Sequence, residues 1–133
     1  MAADASPGAK WLGRGGEAVA LLLLAAKGYR IRHRNWRGPS GELDLVAERG
    51  GRIVFVEVKA RSSELFGGAA AAFGRAKQTA VVRTAAAYLS RYDLWERPCR
   101  FDLVTVERTA GPPWWRIRHV ENAVTPDLGR LMA

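Results

Sequence analysis

Apolar and charged residues alternate across the stretch from Gly41 to Lys59, and this pattern predicts a β-hairpin. In its first half, ELDL, alternation with period two predicts that the leucines share one strand face, with Glu42 and Asp44 on the other. In its second half, IVFVEVK, the same period places Glu57 and Lys59 on one face. The intervening ERGGR is typical of a hairpin turn. The hairpin would bring Asp44 close to Glu57 at the end of a sheet.

The remaining hydrophobic pattern predicts two helices and three further strands. We expect helices over 9–27 and 69–91, and strands over 29–36, 101–106 and 114–120. Gly28 is expected to end the first helix. A chain of 133 residues is long enough for one hydrophobic core. We therefore predict a single domain over 9–122, with flexible termini at 1–8 and 123–133.

The charge balance favours a polyanionic partner. Lysine and arginine together number 21 against 13 acidic residues, which gives a net charge of +8 and a pI near 10.5. Nucleic acid is the simplest such partner, although a charge-rich surface that only aids solubility is the alternative. Arginine is well suited to binding phosphate. The predicted phosphate contacts are Arg30, Arg32, Arg34, Arg37 and Lys77.

Cysteine content and hydropathy exclude several other classes of protein. Cys99 is the only cysteine, so the chain has neither an intramolecular disulfide nor a cysteine cluster for zinc. This composition fits the reducing cytoplasm, which is the expected location. The apolar run over 18–26 is far shorter than the roughly 20 residues that a membrane span needs. The N-terminus also lacks the pattern of a signal peptide.

Asp44, Glu57 and Lys59 are the residue types that metal-dependent phosphodiester hydrolysis needs. Mg²⁺ takes oxygen ligands, often two or three carboxylates, and activates a water next to the phosphate. Adjacent strands would hold the carboxylates rigidly, and a lysine would orient that water or stabilise the developing negative charge. The alternative is a salt bridge between Lys59 and either carboxylate on an exposed sheet face. These residues alone leave both interpretations open.

Three further features of the chain have two interpretations each. Glu17 is either part of a functional site or a boundary carboxylate near the positive end of a helix. Asp102 is either another metal-binding carboxylate or, as we favour, the partner of an arginine near a strand end. The tryptophans of WWRIRHV, residues 114–120, either stack on bases or, as is more common, pack over a sheet face.

Several of these segments together resemble one family of small bacterial proteins. They are Glu17, NWR at 35–37, GELDLVA at 41–47, VFVEVK at 54–59, Lys77 and FDLV at 101–104. This combination, within residues 10–106, resembles the YraN family, also called UPF0102. That family is similar to archaeal Holliday junction resolvases and to the restriction-endonuclease-like PD-(D/E)XK superfamily.

The resemblance implies an α/β fold, a restriction-endonuclease-like mixed β-sheet flanked by helices. It implies that Asp44 and Glu57 bind metal, that Glu17 completes the metal site, and that Lys59 is the catalytic lysine. The expected function is a Mg²⁺- or Mn²⁺-dependent endonuclease that hydrolyses DNA, including branched DNA. The alternatives are a non-catalytic nucleic-acid-binding protein on the same fold and an adaptor whose carboxylates form salt bridges. Junction resolution would require a symmetric homodimer.

Overall fold

The computed structural model describes residues 7–61 and 75–124. Their elements are α1 (Pro7–Ala26), β1 (Arg30–Gly38), β2 (Gly41–Arg49), β3 (Arg52–Arg61), α2 (Arg75–Arg91), β4 (Cys99–Arg108) and β5 (Trp115–Val124). The predicted start of the second helix, at 69–74, lies outside the described residues. β5 ends at Val124, four residues beyond the predicted end, so residues 123 and 124 belong to the sheet rather than to a flexible tail.

The five described strands form one mixed sheet in the order β1-β2-β3-β4-β5. Neighbouring strands are antiparallel except for β3 and β4, which are parallel. A parallel pair requires a crossover connection, and α2 lies within it. The prediction of a mixed α/β sheet flanked by helices is confirmed, and this topology is consistent with a restriction-endonuclease-like fold.

The two helices cover opposite faces of the sheet and create two core layers. In the layer on the α1 side, Leu24 packs with Val54 and Val56. In the layer on the α2 side, Phe55 packs with Tyr88. Successive residues of β3 therefore enter different layers, as the period of a strand requires. Each such large apolar side chain contributes roughly 1.5–3 kcal/mol on full burial.

The prediction that Leu43 and Leu45 share a strand face is wrong. Leu43 belongs to the layer on the α2 side, whereas Leu45 belongs to the layer on the α1 side. The backbone register between β2 and β3 runs only over Leu45–Arg49 of β2. The alternation fails because β2 leaves the regular ladder at Asp44. The two strands therefore separate at the position of the predicted site.

Two glycines fix how α1 lies against the sheet. A Cβ atom added to Gly16 would lie 3.1 Å from the Cβ of Ala60, so the helix approaches β3 closely at this point. Gly28 has a φ of +91° and ends the helix, as predicted. Because Gly16 lies so close to the C-terminal part of β3, Glu17 is held beside the point where β2 and β3 separate. Neither described helix is long and apolar enough to cross a membrane.

Candidate functional site

Asp44 and Glu57 are linked to each other through the backbone where the ladder opens. The Val58 N–H donates to Asp44 Oδ2 at 2.8 Å, and the Asp44 N–H lies 3.4 Å from Glu57 Oε2. Each carboxylate thus accepts from a backbone group that an ordinary ladder would pair with a carbonyl. The predicted proximity of Asp44 and Glu57 is what the structure shows, and the divergence of the strands makes room for both side chains.

The pKa values of both carboxyl groups are raised. Burial and, to a lesser extent, the nearby charge of Asp44 raise the pKa of Glu57 to about 7. Burial also raises the pKa of Asp44, against the effects of the Val58 N–H and of Lys77. Two carboxylates so close together disfavour simultaneous ionisation. The pair is therefore electrostatically under-compensated, and a bound cation would stabilise it.

Lys77 supplies the positive charge that Glu57 contacts. Its Nζ lies 3.0 Å from Glu57 Oε1, and about half of its side chain is exposed. Burial works against the charged form of Lys77, but Glu57 and Asp44 raise its pKa overall. The predicted phosphate contact of Lys77 stays a prediction. In the structure this ammonium group lies directly on the candidate metal site.

Glu17 reaches the same site from α1, on the other face of the sheet. Burial raises its pKa, and so does the charge of Asp44, while a hydrogen bond with Asn35 lowers it. Asn35 occupies the left-handed region of the backbone with a φ of 51°, which asparagine tolerates better than most residues. Asn35 had no predicted role of its own. Its position before Trp36, in the NWR segment, is the only signal that pointed to it.

Lys59 follows Glu57 by two residues on β3 and lies on the same strand face. Its side chain is exposed, and its charge acts on Asp44 by lowering the pKa of that carboxyl group. Among the described residues Lys59 forms no ion pair. The salt bridge of the alternative interpretation thus involves Lys77 rather than Lys59. The ammonium group of Lys59 is accessible to a ligand at the carboxylates.

Two carboxylates of the candidate site, those of Asp44 and Glu57, are suitable ligands for a hard divalent cation. Asp44 and Glu57 provide oxygen ligands, the type that Mg²⁺ and Mn²⁺ prefer. Burial raises the pKa of both groups, so a bound cation would stabilise their ionised forms. Within residues 7–61 and 75–124, no three His, Cys, Asp or Glu side chains are already arranged to hold a metal ion. Glu17 would have to move closer to serve as a third ligand.

The predicted phosphate-binding arginines divide into two groups. Arg30 and Arg32 contact Glu48, at 2.6 and 3.0 Å, toward the opposite end of β2 from the carboxylate pair. Arg37 pairs with Glu42 at 3.1 Å, and the charge of Arg34 acts on Glu17. Only Arg34 and Arg37 therefore lie near the candidate site.

Asp102 pairs with an arginine, as the favoured interpretation predicted. Arg100 donates to both carboxylate oxygens, at 2.8 and 2.7 Å. His119 Nε2 lies 2.7 Å from Oδ2, and the Asn122 N–H donates to Oδ1 at 3.0 Å. These contacts occupy the carboxylate completely. Asp102 is a structural residue, and His119 is a partner that the sequence did not indicate.

Comparison with known proteins identifies relatives of this chain. It is 46% identical over 112 residues to a UPF0102 protein of Oleidesulfovibrio alaskensis, covering 84% of this chain and 55% of that relative. It is 48% identical over 104 residues to a UPF0102 protein of Moorella thermoacetica, covering 74% and 87%. A UPF0102 protein of Bacteroides thetaiotaomicron is 42% identical over 117 residues, covering 88% and 94%.

The region of similarity includes every acidic and lysine residue of the candidate site. Residues 16–106 match the profile described as uncharacterised protein family UPF0102. This range contains Glu17, Asp44, Glu57, Lys59 and Lys77. The chain therefore belongs to uncharacterised protein family UPF0102.

Proposed function

We propose that this protein is a divalent-metal-dependent nuclease that hydrolyses DNA phosphodiester bonds, with branched DNA among its substrates. The observation that carries the proposal is the pair of buried, under-compensated carboxylates, Asp44 and Glu57, where β2 and β3 separate. Buried ionisable groups with strongly shifted pKa values are typical of functional sites. The net charge of +8 suits a polyanionic substrate.

Asp44 and Glu57 would hold Mg²⁺ or Mn²⁺ through their carboxylate oxygens. The bound cation would supply positive charge beside the phosphodiester and acidify a water molecule. On binding, Lys77 would release Glu57 and be free to contact a substrate phosphate. Glu17 Oε atoms, hydrogen-bonded to Asn35, would orient the attacking water or contribute to a second metal.

Lys59 would act on the reacting atoms directly. Its exposed Nζ is positioned on the same strand face as Glu57, and an ammonium group there would donate to the attacking water or to a phosphoryl oxygen. Arg34 and Arg37 would bind flanking phosphates. Resolution of a branched junction would further require two copies of the site in a symmetric homodimer. We place this activity in the cytoplasm.

A second candidate function is non-catalytic nucleic-acid binding. The observation that favours it is the ion pair between Lys77 and Glu57, which already places a cationic group on the carboxylates. In this case the fold would serve as a basic platform. Binding would be strong at low salt and would weaken steeply with added salt, and it would need no divalent cation.

The test compares cleavage by the wild type, Asp44→Asn and Glu57→Gln on linear and four-way-junction DNA of matched sequence, with Mg²⁺ or Mn²⁺. We expect each substitution to reduce the cleavage rate at least roughly 100-fold, because transition-state stabilisation is lost. Calorimetric titration with Mn²⁺ should show binding to the wild type and weaker binding to both variants. Glu96→Gln, which changes an exposed carboxylate in the loop after α2, is the matched control.

Cleavage that persists in both site variants would exclude the nuclease proposal, as would a wild type that binds no Mn²⁺. Salt-sensitive DNA binding without cleavage under either metal would establish the second candidate instead. Circular dichroism of each variant separates loss of the site from loss of the fold.

A further inference from the structure

Two adjacent tryptophans at the start of β5 are exposed. Trp114 is 54% exposed and Trp115 is 38% exposed. The sequence favoured packing over a sheet face, whereas the structure leaves a large part of both side chains exposed. By contrast, the indole N–H of Trp36 donates to the Tyr92 hydroxyl group. Among the described residues, neither Trp114 nor Trp115 has a hydrogen-bond partner for its indole N–H.

The backbone conformation at Trp114 is strained. Its φ of 77° lies in the left-handed region, where a bulky residue is a rare outlier. The turn is held by two backbone bonds of 2.8 Å, from the Trp114 N–H to the Gly111 carbonyl and from the Thr109 N–H to the Trp114 carbonyl. Strain of this kind costs of order 1–3 kcal/mol and clusters at functional positions. Trp114 is 54% exposed, so burial offsets this cost only in part.

Positive charge and apolar surface adjoin the tryptophans. Arg108 is the register partner of Trp115, so an exposed guanidinium and an indole share one face of the β4–β5 ladder. Ile117, two residues along the same face, is 44% exposed. A second copy of this basic chain would place like charges against this surface, whereas a nucleic acid brings negative charge. The charge pattern therefore favours a nucleic acid as the occupant.

The tryptophans lie at the same end of the sheet as the candidate active site. Lys59 pairs in register with Thr105, and Thr105 pairs with Arg118. Trp115 is therefore two strands and three residues away from Lys59. With about 4.8 Å between strands and about 3.3 Å per residue, the separation is roughly 14 Å. Because Trp115 is an odd number of residues from Arg118, its side chain lies on the sheet face opposite Lys59. One nucleic-acid strand would therefore pass over this end of the sheet to reach both the carboxylates and the indoles.

We propose that Trp114 and Trp115 are a stacking platform for unpaired bases, with Arg108 binding the adjacent phosphate. The substrate class is then DNA with a single-stranded segment, as at a branch, flap or frayed end. Aromatic side chains stack on bases of any sequence, so the platform selects unpaired structure rather than sequence. As a statement about substrate choice, this inference rests on the proposed nuclease function. As a statement about binding, it is independent of cleavage.

The test measures fluorescence anisotropy of a labelled single-stranded oligonucleotide and of an abasic oligomer of the same length, with a chelator present so that cleavage does not occur. The wild type should bind the base-bearing strand more tightly. Trp114→Ala/Trp115→Ala should weaken that binding roughly 10- to 100-fold and bring the two affinities together. Trp95→Ala is the matched control, because Trp95 is 36% exposed and donates to Ser90 instead. Trp114→Phe/Trp115→Phe should retain the preference for bases.

Equal wild-type affinity for the two strands would overturn the proposal, as would a double alanine variant that keeps the preference. A wild type that sediments as a dimer and a double variant that sediments as a monomer would assign the surface to a second copy of the chain and would also overturn it. Failure of the nuclease function alone leaves this assay unaffected. A Glu96→Gln protein, altered outside the candidate site, should show the full preference for bases.

Discussion

Glu57 and Asp102 lie on neighbouring strands of one sheet, yet their pKa values shift in opposite directions. Asp102 pairs in register with Val56, the residue before Glu57. Glu57 is 4% exposed and Asp102 is 0% exposed. Burial raises the pKa of both groups, but the pKa of Glu57 rises to about 7 and that of Asp102 falls below its ordinary value. Burial alone therefore does not decide the ionisation of a carboxyl group in this sheet.

The partners of the two groups explain the difference. Arg100, Asn122 and His119 all contact the Asp102 carboxylate and together outweigh the effect of burial. Glu57 contacts one lysine, and it also lies near the Asp44 carboxylate, whose like charge repels its own. Fully paired buried charges are a structural feature, whereas under-paired ones are kept where a ligand completes them. This comparison separates a fully paired acid, Asp102, from an under-paired candidate metal ligand, Glu57.

The largest expected difference between Asp102 and Glu57 is in how their substitution changes the free energy of unfolding. Asp102→Ala leaves Arg100 and His119 without their buried partner, so it should lower the free energy of unfolding by about 3–5 kcal/mol. Glu57→Gln removes a charge from an under-compensated pair, so it should raise stability by about 1 kcal/mol at pH 8. Urea denaturation of both variants and the wild type measures these differences. If Asp102→Ala were no more destabilising than Glu57→Gln, the distinction between the two acids would fail.

The pH dependence of stability should differ in direction. Because the pKa of Glu57 is raised, its carboxyl group binds a proton more tightly in the folded state than in the unfolded state. The stabilisation of the fold by protonated Glu57 is therefore fully present below pH 4.5 and is lost as pH rises through about 7. Because the pKa of Asp102 is lowered in the folded state, the stabilisation of the fold by ionised Asp102 is present above pH 3.8. It is lost as pH falls through the lower pKa of the folded state.

Thermal unfolding as a function of pH can resolve these two windows. The stability difference between the wild type and Glu57→Gln should change between pH 4.5 and 7. The difference between the wild type and Asp102→Asn should instead shrink below pH 3.8. If the stability differences of both variants changed over the same pH range, the opposite pKa shifts of Glu57 and Asp102 would be contradicted.

The smallest effect is expected at Arg37, an exposed ion-pair residue next to the candidate metal-binding acids. The Arg37 side chain is 85% exposed and its partner Glu42 is 39% exposed, so Arg37→Ala should change stability by less than about 0.5 kcal/mol. If Arg37 binds phosphate, the substitution should instead lower the slope of log affinity against log salt by about one. DNA binding titrations at several salt concentrations measure this slope. Arg83→Ala, at an exposed position on α2, should leave it unchanged.

The sequence predicted the hairpin, the fold class and the proximity of Asp44 to Glu57. These conclusions depend on local period and on turn chemistry, which are properties of neighbouring residues. Asp102 was also correctly assigned to an arginine partner, because Arg100 lies on the same strand two residues away. The end of α1 was predicted in the same way, because a glycine such as Gly28 readily adopts the positive φ that follows a helix.

Other features depend on which distant segments meet. Leu43 and Leu45 enter different core layers because β2 leaves the ladder at Asp44, and no local pattern marks that departure. Lys77 contacts Glu57 from α2, and Asn35 contacts Glu17 from β1. A sequence period cannot show such pairings, since they arise from the crossover and from helix packing.

The sequence by itself determined the type and order of the described elements and the supply of carboxylates, lysines and arginines. The tertiary structure decided which of these charges are compensated. Asp102 is fully paired because β5 brings His119 and Asn122 to it, and Glu57 is under-compensated because β2 brings Asp44 close to it. The physical reason is that the energy of a buried charge is set by its three-dimensional neighbours, and these lie far away along the chain.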